Sequence, residues 1–321
     1  MDLISVSLKT FKVRRLKSLR NFSHFFPGRC SVIMPIMPTT ILRPNLLPKL
    51  CTLLALLAPL GAMAQPEKGS ELTIAASVLH FGYQESDDAG KLLDREDGFI
   101  PGGVLGLSHT VNRWQFAGDF AYHGGDVVYA GQTNTGIPIN THTRQNIADV
   151  AVRAEYWLQS SRGANFALYL GAGYHHWDRN IQPTTTAGGI PVSGLLETYT
   201  WWSGVVGAKA AVYESAYSRL LLDARLLRTV NPAIQINFNG GYDNAKLSLG
   251  ERWGVRLALP WRHTLSHSSS LIVEPYAESY ELGRSATAPL TSNGTVVGNV
   301  FEPVSHTVNY GLVLGISQHF Q

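Results

Sequence analysis

The feature that most constrains this chain is a two-residue alternation of apolar and polar side chains between Ile147 and Leu158. The apolar parity comprises Ala148, Val150, Val152, Ala154, Tyr156 and Leu158, and the polar parity comprises Asp149, Arg153 and Glu155. Because successive side chains of a β-strand point to opposite faces of a sheet, a period of two predicts a strand. One face of this strand is apolar and the other is charged.

Segments 114–122 and 308–320 alternate in the same way, and aromatic residues frame them. Repeated segments of about ten residues with this pattern are typical of transmembrane β-barrels. Such a sheet has to close, because an open edge would leave backbone amides and carbonyls unpaired in lipid. We therefore predict an all-β fold, a closed antiparallel up-and-down transmembrane β-barrel of about ten strands, with eight or twelve as alternatives.

Ten candidate strands follow one another after residue 65, and short connections alternate with long polar ones, as in outer-membrane barrels. The predicted strands are 71–83, 100–111, 114–130, 145–158, 166–179, 197–213, 219–229, 246–261, 271–282 and 306–320. Outward aromatic residues are expected in two girdles. Trp114, Tyr156, Phe166, Tyr213, Trp261 and Phe320 are expected near the short turns, and Phe81, Tyr83, Tyr174, Trp202 and Trp253 near the other rim.

The basic residues are unevenly distributed, since residues 1–64 carry nine Lys and Arg against one acid, Asp2. The rest of the chain has an acidic excess, which argues against binding of nucleic acid. Arg43 and Lys49 precede an apolar run that ends in an A-x-A site before Gln65, the pattern of a cleavable signal peptide. We predict a leader over 1–64, with translation starting at Met34 or Met37 as an alternative, and a barrel domain over 65–321.

The inward parity carries acids and bases in nearly equal number. These predicted lumen charges are Asp119, Asp149, Arg153, Glu155, Lys209, Asp223, Arg225, Arg252, Arg256, Glu274 and Glu278. An unpaired charge inside a narrow barrel would be costly, so the near balance predicts an ion-pair network that fills the lumen. A diffusion porin is the alternative.

Candidate catalytic residues lie where strands three to six meet the long loops: Asp126, His175, Asp178 and Glu197. A histidine beside a carboxylate there could activate water as a general base. The competing interpretation is a rim of charged and aromatic residues that meets lipid headgroups, and under it no residue is catalytic. No metal site is expected, because His175 and His176 are adjacent on a strand and point to opposite faces. No cofactor is expected either.

The first long loop, 84–98, has six acids and two bases. We interpret it as a solvated acidic loop. Divalent cations that bridge its carboxylates to lipopolysaccharide phosphates are the alternative.

The chain from residue 65 onward resembles bacterial outer-membrane β-barrel proteins. It is most similar to an uncharacterised proteobacterial group with the stretches LDREDGFIPG, YHGGDVVYAGQT, YHHWDR and LLETYTWW. The expected ten strands also make it similar in size to the omptin proteases, whose paired aspartates and Asp-His couple have no clear match here. The resemblance implies an outer-membrane barrel of a Gram-negative bacterium and says little about activity.

We therefore expect a non-enzymatic cell-surface barrel with a structural, surface-interaction or small-solute role. The alternatives are an extracellular-rim hydrolase, either omptin-like or lipid-modifying, and a porin-like channel. The expected partners are outer-membrane lipid and lipopolysaccharide, and during biogenesis periplasmic chaperones and the barrel-assembly machinery. The predicted route is secretion to the periplasm followed by insertion into the outer membrane.

Overall fold

The computed structural model describes residues 2–3, 68–159 and 165–320. The predicted leader lies almost entirely outside these ranges, so the signal peptide and the start at Gln65 stay predictions. The described residues contain no helix that is long and apolar enough to cross a membrane.

Ten long strands, which we number β1 to β10, form the main sheet. Seven precede residue 240: β1 Gly69–Ser86, β2 Leu92–Val111, β3 Trp114–Gln132, β4 Pro138–Gln159, β5 Asn165–Ile181, β6 Leu195–Glu214 and β7 Ser218–Asn237. The eighth has three segments, β8a Ala245–Ser248, β8b Trp253–Ala258 and β8c Trp261–Thr264. The last two are β9 Ser269–Leu282 and β10 Val304–Phe320.

Each strand pairs antiparallel with its neighbours in sequence. The sheet closes where β10 pairs with β1, from Val304 opposite Ser86 to Phe320 opposite Ser70. The prediction of a closed, ten-stranded, up-and-down barrel is confirmed.

Short strands lie at the end of the barrel that carries the long connections. Asp2–Leu3, Thr184–Thr185 and Pro191–Ser193 form a small sheet, and Ala288–Ser292 pairs with Thr295–Val300 as a hairpin. The described turns at the opposite end are tight, for example Asn112-Arg113, where Asn112 adopts a φ of 56°.

Side-chain parity follows the predicted faces. Val152 exposes 58% of its surface and Trp114 exposes 46%, whereas Glu155 and Trp157 are buried inside. The C-terminal strand has the same arrangement, with Leu314 and Ile316 outward and Ser317 buried. The outer surface of the barrel is therefore an apolar band suited to acyl chains.

The barrel continues well beyond this band. Strand β2 has 20 residues, which at about 3.3 Å per residue and a tilt of about 40° span about 50 Å along the axis, against about 25 Å for the apolar band. On β5 the outward residues change from Leu170 and Tyr174 to His176, Asp178 and Asn180. Residues beyond Tyr174 and its neighbour Trp202, 5.0 Å away between ring centroids, thus lie outside the membrane-spanning part.

Two sequence predictions about the long-loop end are wrong. Segment 84–98 and the segment between the predicted strands 114–130 and 145–158 were expected to be loops, but much of both is strand. The connections between β1 and β2 and between β3 and β4 are only the residues 87–91 and 133–137. Phe81 and Tyr83, expected in the outer girdle, are fully buried in the lumen. The cause is that their parity is that of the inward residues Ser77 and Leu79, which are also buried.

Candidate functional site

The four predicted rim residues do not converge on one cleft. Asp126 and Asp178 lie on the outer face, where Asp126 pairs with Arg144 at 3.1 Å and Asp178 accepts a 2.7 Å hydrogen bond from Thr198. His175 and Glu197 lie on the inner face and are buried. Because strand parity separates the two pairs by the thickness of the wall, no arrangement of these side chains for water activation exists.

The inner pair is also divided along the barrel axis. His175 pairs with Asp149, directly opposite on β4, and its ring stacks on Trp201 with 3.8 Å between centroids. Glu197 instead pairs with Arg179, nearer the long-loop end. His175 and Glu197 therefore belong to two separate groups of interacting residues.

Arg179 is the centre of the group closer to the long loops, which we call the Arg179 layer. The layer consists of Arg179, Glu85, Asp94, Glu96 and Glu197. The guanidinium lies 2.7 Å from Glu85, 3.3 Å from Asp94, 2.9 Å from Glu96 and 2.6 Å from Glu197. Each of these side chains is at most 2% exposed. One arginine thus joins carboxylates from β1, β2 and β6 across the lumen.

Strand register explains how the layer assembles. Arg179 stands directly opposite Glu197 on β6 and opposite Gln145 on β4. Glu85 stands opposite Asp94 in the pairing of β1 with β2. All five residues have inward parity on long strands, so closure of the barrel brings them to one level.

Neutral side chains complete the hydrogen bonding of the layer. Glu96 accepts hydrogen bonds from Thr143 at 2.8 Å and from Gln145 at 2.6 Å. Tyr83 donates to Glu85 at 2.9 Å, and its ring lies 4.6 Å beneath the Arg179 guanidinium. The layer is therefore a packed, hydrogen-bonded barrier with apolar neighbours, among which Phe81 and Trp177 are fully buried.

The layer is electrostatically unbalanced, because four carboxylates surround a single guanidinium. Burial raises the pKa of Glu85 and of Glu197, and also that of Asp94 and of Glu96. Burial alone would lower the pKa of Arg179, but the charges of Glu96 and Glu197 outweigh burial and hold it above its ordinary value. The arginine thus stays charged, and burial makes each of the four carboxyls harder to ionise than in water.

Most predicted lumen charges form ion pairs within the membrane-spanning part. Arg153 pairs with Asp119 and with Glu155 at 2.6 Å, and Lys209 reaches Glu155 at 2.6 Å. Asp223 pairs with Arg225 at 3.3 Å. Arg256 completes these ion pairs, 3.0 Å from Glu274 and 3.8 Å from Glu278, and Asp149 is hydrogen-bonded to His175.

Arg252 is placed differently from its prediction. It is exposed, and its guanidinium donates to the backbone carbonyl of Glu251 at 3.1 Å. The cause is a break in the eighth strand at 249–252, across which the outward residues change from even numbers such as Lys246 to odd numbers such as Trp253. Extending the alternation of β8b, in which Arg256 faces inward, back through this break assigns Arg252 to the wrong face.

The lumen is hollow in the half nearer the short turns. A cavity of about 550 Å³ reaches from His175, Trp201 and Tyr280 to turn residues such as Tyr217 and His267. The buried aromatic side chains around Trp177 and the Arg179 layer lie beyond the end of the cavity that is farther from the short turns. The interior is thus open from one side and filled at the other, where the sequence predicted a charge-paired and largely filled lumen.

Sequence reasoning placed Glu85, Asp94 and Glu96 in a solvated loop, although all three are buried at 1% exposure or less. For Asp94 and Glu96 the alternation of the strand indicates an inward position, since the inward parity of β2 runs from Thr110 through Ile100 to Glu96 without interruption. The polar composition of the segment instead favoured a loop. Within the described residues no group of three or more His, Cys, Asp or Glu side chains has an arrangement that could hold a metal ion.

A scan against known protein families finds no match, and a search of curated protein sequences finds none either. Solved structures do match. The outer membrane protease OmpT from Escherichia coli is 9% identical with a TM-score of 0.55, over 81% of this chain and 99% of that chain. The translocator domain of autotransporter NalP from Neisseria meningitidis, also 9% identical, has a TM-score of 0.41 over 80% and 91% of the two chains.

Neisserial surface protein A is 11% identical with a TM-score of 0.29, over 79% of this chain and 100% of that chain. At these identities the likeness concerns the fold and not the activity. The fold is that of the outer-membrane β-barrels, here closed from ten antiparallel strands.

Proposed function

We propose that this protein is a non-conducting barrel of the Gram-negative outer membrane, sealed at its outer end, with a structural or surface-interaction role. The observation that carries this proposal is the Arg179 layer, which fills the lumen beyond the membrane-spanning part with buried, mutually bonded side chains. A hydrated solute would have to break several charge-assisted hydrogen bonds to pass. The diffusion-porin alternative would need a path through this layer.

The outer part supplies the surface for interaction. It comprises the strand ends above Tyr174 and Trp202 and the connecting segments, which pack together: Asn239 donates to the carbonyl of Gly194 at 2.8 Å, and Asp243 accepts from the backbone of Asn293 and Gly294. An ordered protein surface of this kind suits contact with lipopolysaccharide or other macromolecules. The rim-hydrolase alternative lacks such support, because its four candidate residues occupy two faces of the wall.

The route that we propose is export by the predicted signal peptide, transit with periplasmic chaperones and insertion by the barrel-assembly machinery. The short turns would then face the periplasm, as in other outer-membrane barrels. The hollow half of the lumen would be accessible from that side alone.

Two-sided cysteine labelling tests this topology. Ser203→Cys places a thiol in the cavity wall, and both native cysteines, Cys30 and Cys51, lie in the predicted leader and can be replaced by serine. In a host that lacks general porins, a small membrane-impermeant thiol reagent should leave Ser203→Cys unlabelled in intact cells and should label it once the reagent reaches the periplasm. As a positive control, Val297→Cys on the exposed hairpin should react from outside. Labelling of Ser203→Cys in intact cells at the rate of Val297→Cys would overturn the proposal.

A further inference from the structure

The long connection between β9 and β10, residues 283–303, folds over the outer end of the lumen, and we call it the lid. Leu290 and Val300 of its hairpin are buried in the same apolar cluster as Tyr129 and Trp177. Phe301 and Glu302 are buried at 5% and 2% exposure. The lid is therefore part of the packed core and not a solvated loop.

Glu302 is the single carboxyl of the lid that enters the lumen. Its carboxylate accepts a hydrogen bond from the Tyr199 hydroxyl at 2.6 Å. No arginine or lysine lies within ion-pair distance of it among the described residues, while Arg179 already serves four other carboxylates. Glu302 is therefore a fifth buried acid beside one guanidinium.

The Tyr199 hydroxyl lies between two carboxyls and can donate to one of them at a time. It lies 2.6 Å from Glu302 and 3.2 Å from Glu197, and a phenol has one proton to donate. The neighbouring Tyr83 hydroxyl, 3.3 Å away, donates to Glu85 instead. Glu197 also accepts a hydrogen bond from Arg179 at 2.6 Å, whereas ionised Glu302 would be a buried charge without a cationic partner among the described residues, which is costly.

The groups around Glu302 give the charge balance. Facing it or its immediate partners are Tyr83 and Glu85 on β1, Asp94 and Glu96 on β2, Tyr129 on β3, Arg179 on β5, Glu197 and Tyr199 on β6, and Arg284 within the lid. Arg284 lies over the Phe301 ring at 4.0 Å and pairs with Asp88 at 3.3 Å, so its charge is directed away from the layer. The surroundings of Glu302 are thus acidic.

We propose that the lid is held closed by a proton on Glu302 and is released when that proton is lost. The inference rests on the proposed function, because it assumes that the outer end is sealed. Ionised Glu302 would be repelled by Glu197 and would gain hydration by leaving the lumen, which requires Val300 and Phe301 to leave with it.

The direction of the pH dependence follows from burial. Burial, and next the charge of Glu197, raises the pKa of Glu302 well above its ordinary value. A carboxyl whose pKa is higher in the closed state than in the open state favours closure at low pH. The closed lid therefore loses stability as pH rises through the elevated pKa of Glu302, and acidification restores it.

Thiol labelling of Val300→Cys measures lid opening, because residue 300 is fully buried in the closed lid. The labelling rate of Val297→Cys, on the exposed part of the same hairpin, corrects for the greater reactivity of thiolate at high pH. With Cys30 and Cys51 replaced by serine, the ratio of the two rates should rise with pH by up to about tenfold per pH unit, the slope that loss of one proton gives.

Glu302→Gln should remove this rise, whereas Glu281→Gln, at an exposed position without an ion pair among the described residues, should retain it. Tyr199→Phe keeps the ring but removes the hydrogen bond to Glu302, so the rise should move to higher pH. This second variant serves if Glu302→Gln does not assemble.

A ratio that is constant between about pH 5 and about pH 9, or an unchanged rise in Glu302→Gln, would overturn the lid proposal. Unchanged protection of Ser203→Cys in the same cells at neutral pH would show that the sealed barrel stands and that the lid inference alone has failed. Free labelling of Ser203→Cys from outside at every pH would mean that the proposed function has failed as well.

Discussion

At the residue scale, the side of the barrel wall on which a charged side chain lies decides how much its ion pairs contribute to stability. Arg179 is buried and joined to four carboxylates, whereas Arg144 is exposed on the outer face and pairs with one. Removal of one partner from a buried ionic group leaves uncompensated charge, while exposed pairs contribute little. The two arginines therefore form a natural comparison.

Arg179→Met should lower the free energy of unfolding by about 3 to 5 kcal/mol, since the carboxylates that remain have no counter-charge. Arg144→Met should leave it unchanged within error. Urea unfolding of protein reconstituted in lipid vesicles measures both values. Equal stability of the two variants would contradict the structural role assigned to the Arg179 layer.

Outward parity gives a second prediction at this scale. Val152 faces outward on β4, and Val152→Arg should cost about 2 to 4 kcal/mol if the residue lies near the bilayer midplane. Val152→Leu should be tolerated. The same vesicle unfolding assay applies, and equally stable Arg and Leu variants would mean that this face does not meet lipid.

At the element scale, the break in the eighth strand explains why two arginines four residues apart differ. Arg256 lies inside, with its guanidinium 3.8 Å above the Tyr276 ring and bonded to Glu274. Arg256→Met should destabilise the barrel by several kcal/mol, and Arg252→Met should have little effect. The thermal unfolding midpoint, taken from the loss of β-sheet circular dichroism, separates them. Similar losses in the two variants would place Arg252 in the lumen after all.

The break depends on close contact between two glycines. Gly250 and Gly283 exchange backbone hydrogen bonds of 2.9 and 2.7 Å, and a Cβ at residue 283 would lie 2.8 Å from the Gly250 Cα. Gly283→Ala should therefore cost about 1 to 3 kcal/mol through overpacking. Gly298→Ala, where a Cβ meets nothing closer than Leu290 at 4.0 Å, is the matched control. A Gly283→Ala variant as stable as the control in urea would show that the two strands can separate without cost.

The sequence predicts much of the element scale and little of the candidate site. Alternation identifies the faces of β3, β4 and β10 because lipid demands apolar residues on one side without exception. It fails at Glu85 and Asp94, where the strands leave the membrane and both faces become polar. A polar strand and a polar loop then have similar composition, and only the unbroken parity distinguishes them. The meeting of four carboxylates at Arg179 depends on the register between strands and on closure of the barrel, and neither can be predicted from one segment alone.

At the scale of the whole molecule, the barrel has a hollow half and a filled half. The hollow half carries the ion pairs around Arg153 and Arg256, and its cavity reaches the short turns. The filled half carries the aromatic cluster, the Arg179 layer and the lid. The overall balance of interior charge alone could not predict this division, because most of the excess of acids lies at one level, around Arg179.

Conductance across a planar bilayer tests the sealed outer end most directly. At neutral pH the native protein should insert and give no steady open-channel current, because the Arg179 layer blocks the lumen. Protein with Arg179→Met should insert with a noisy or leaking baseline. A large, steady and weakly selective current from the native protein would contradict the account, and the lumen charges would then line a pore.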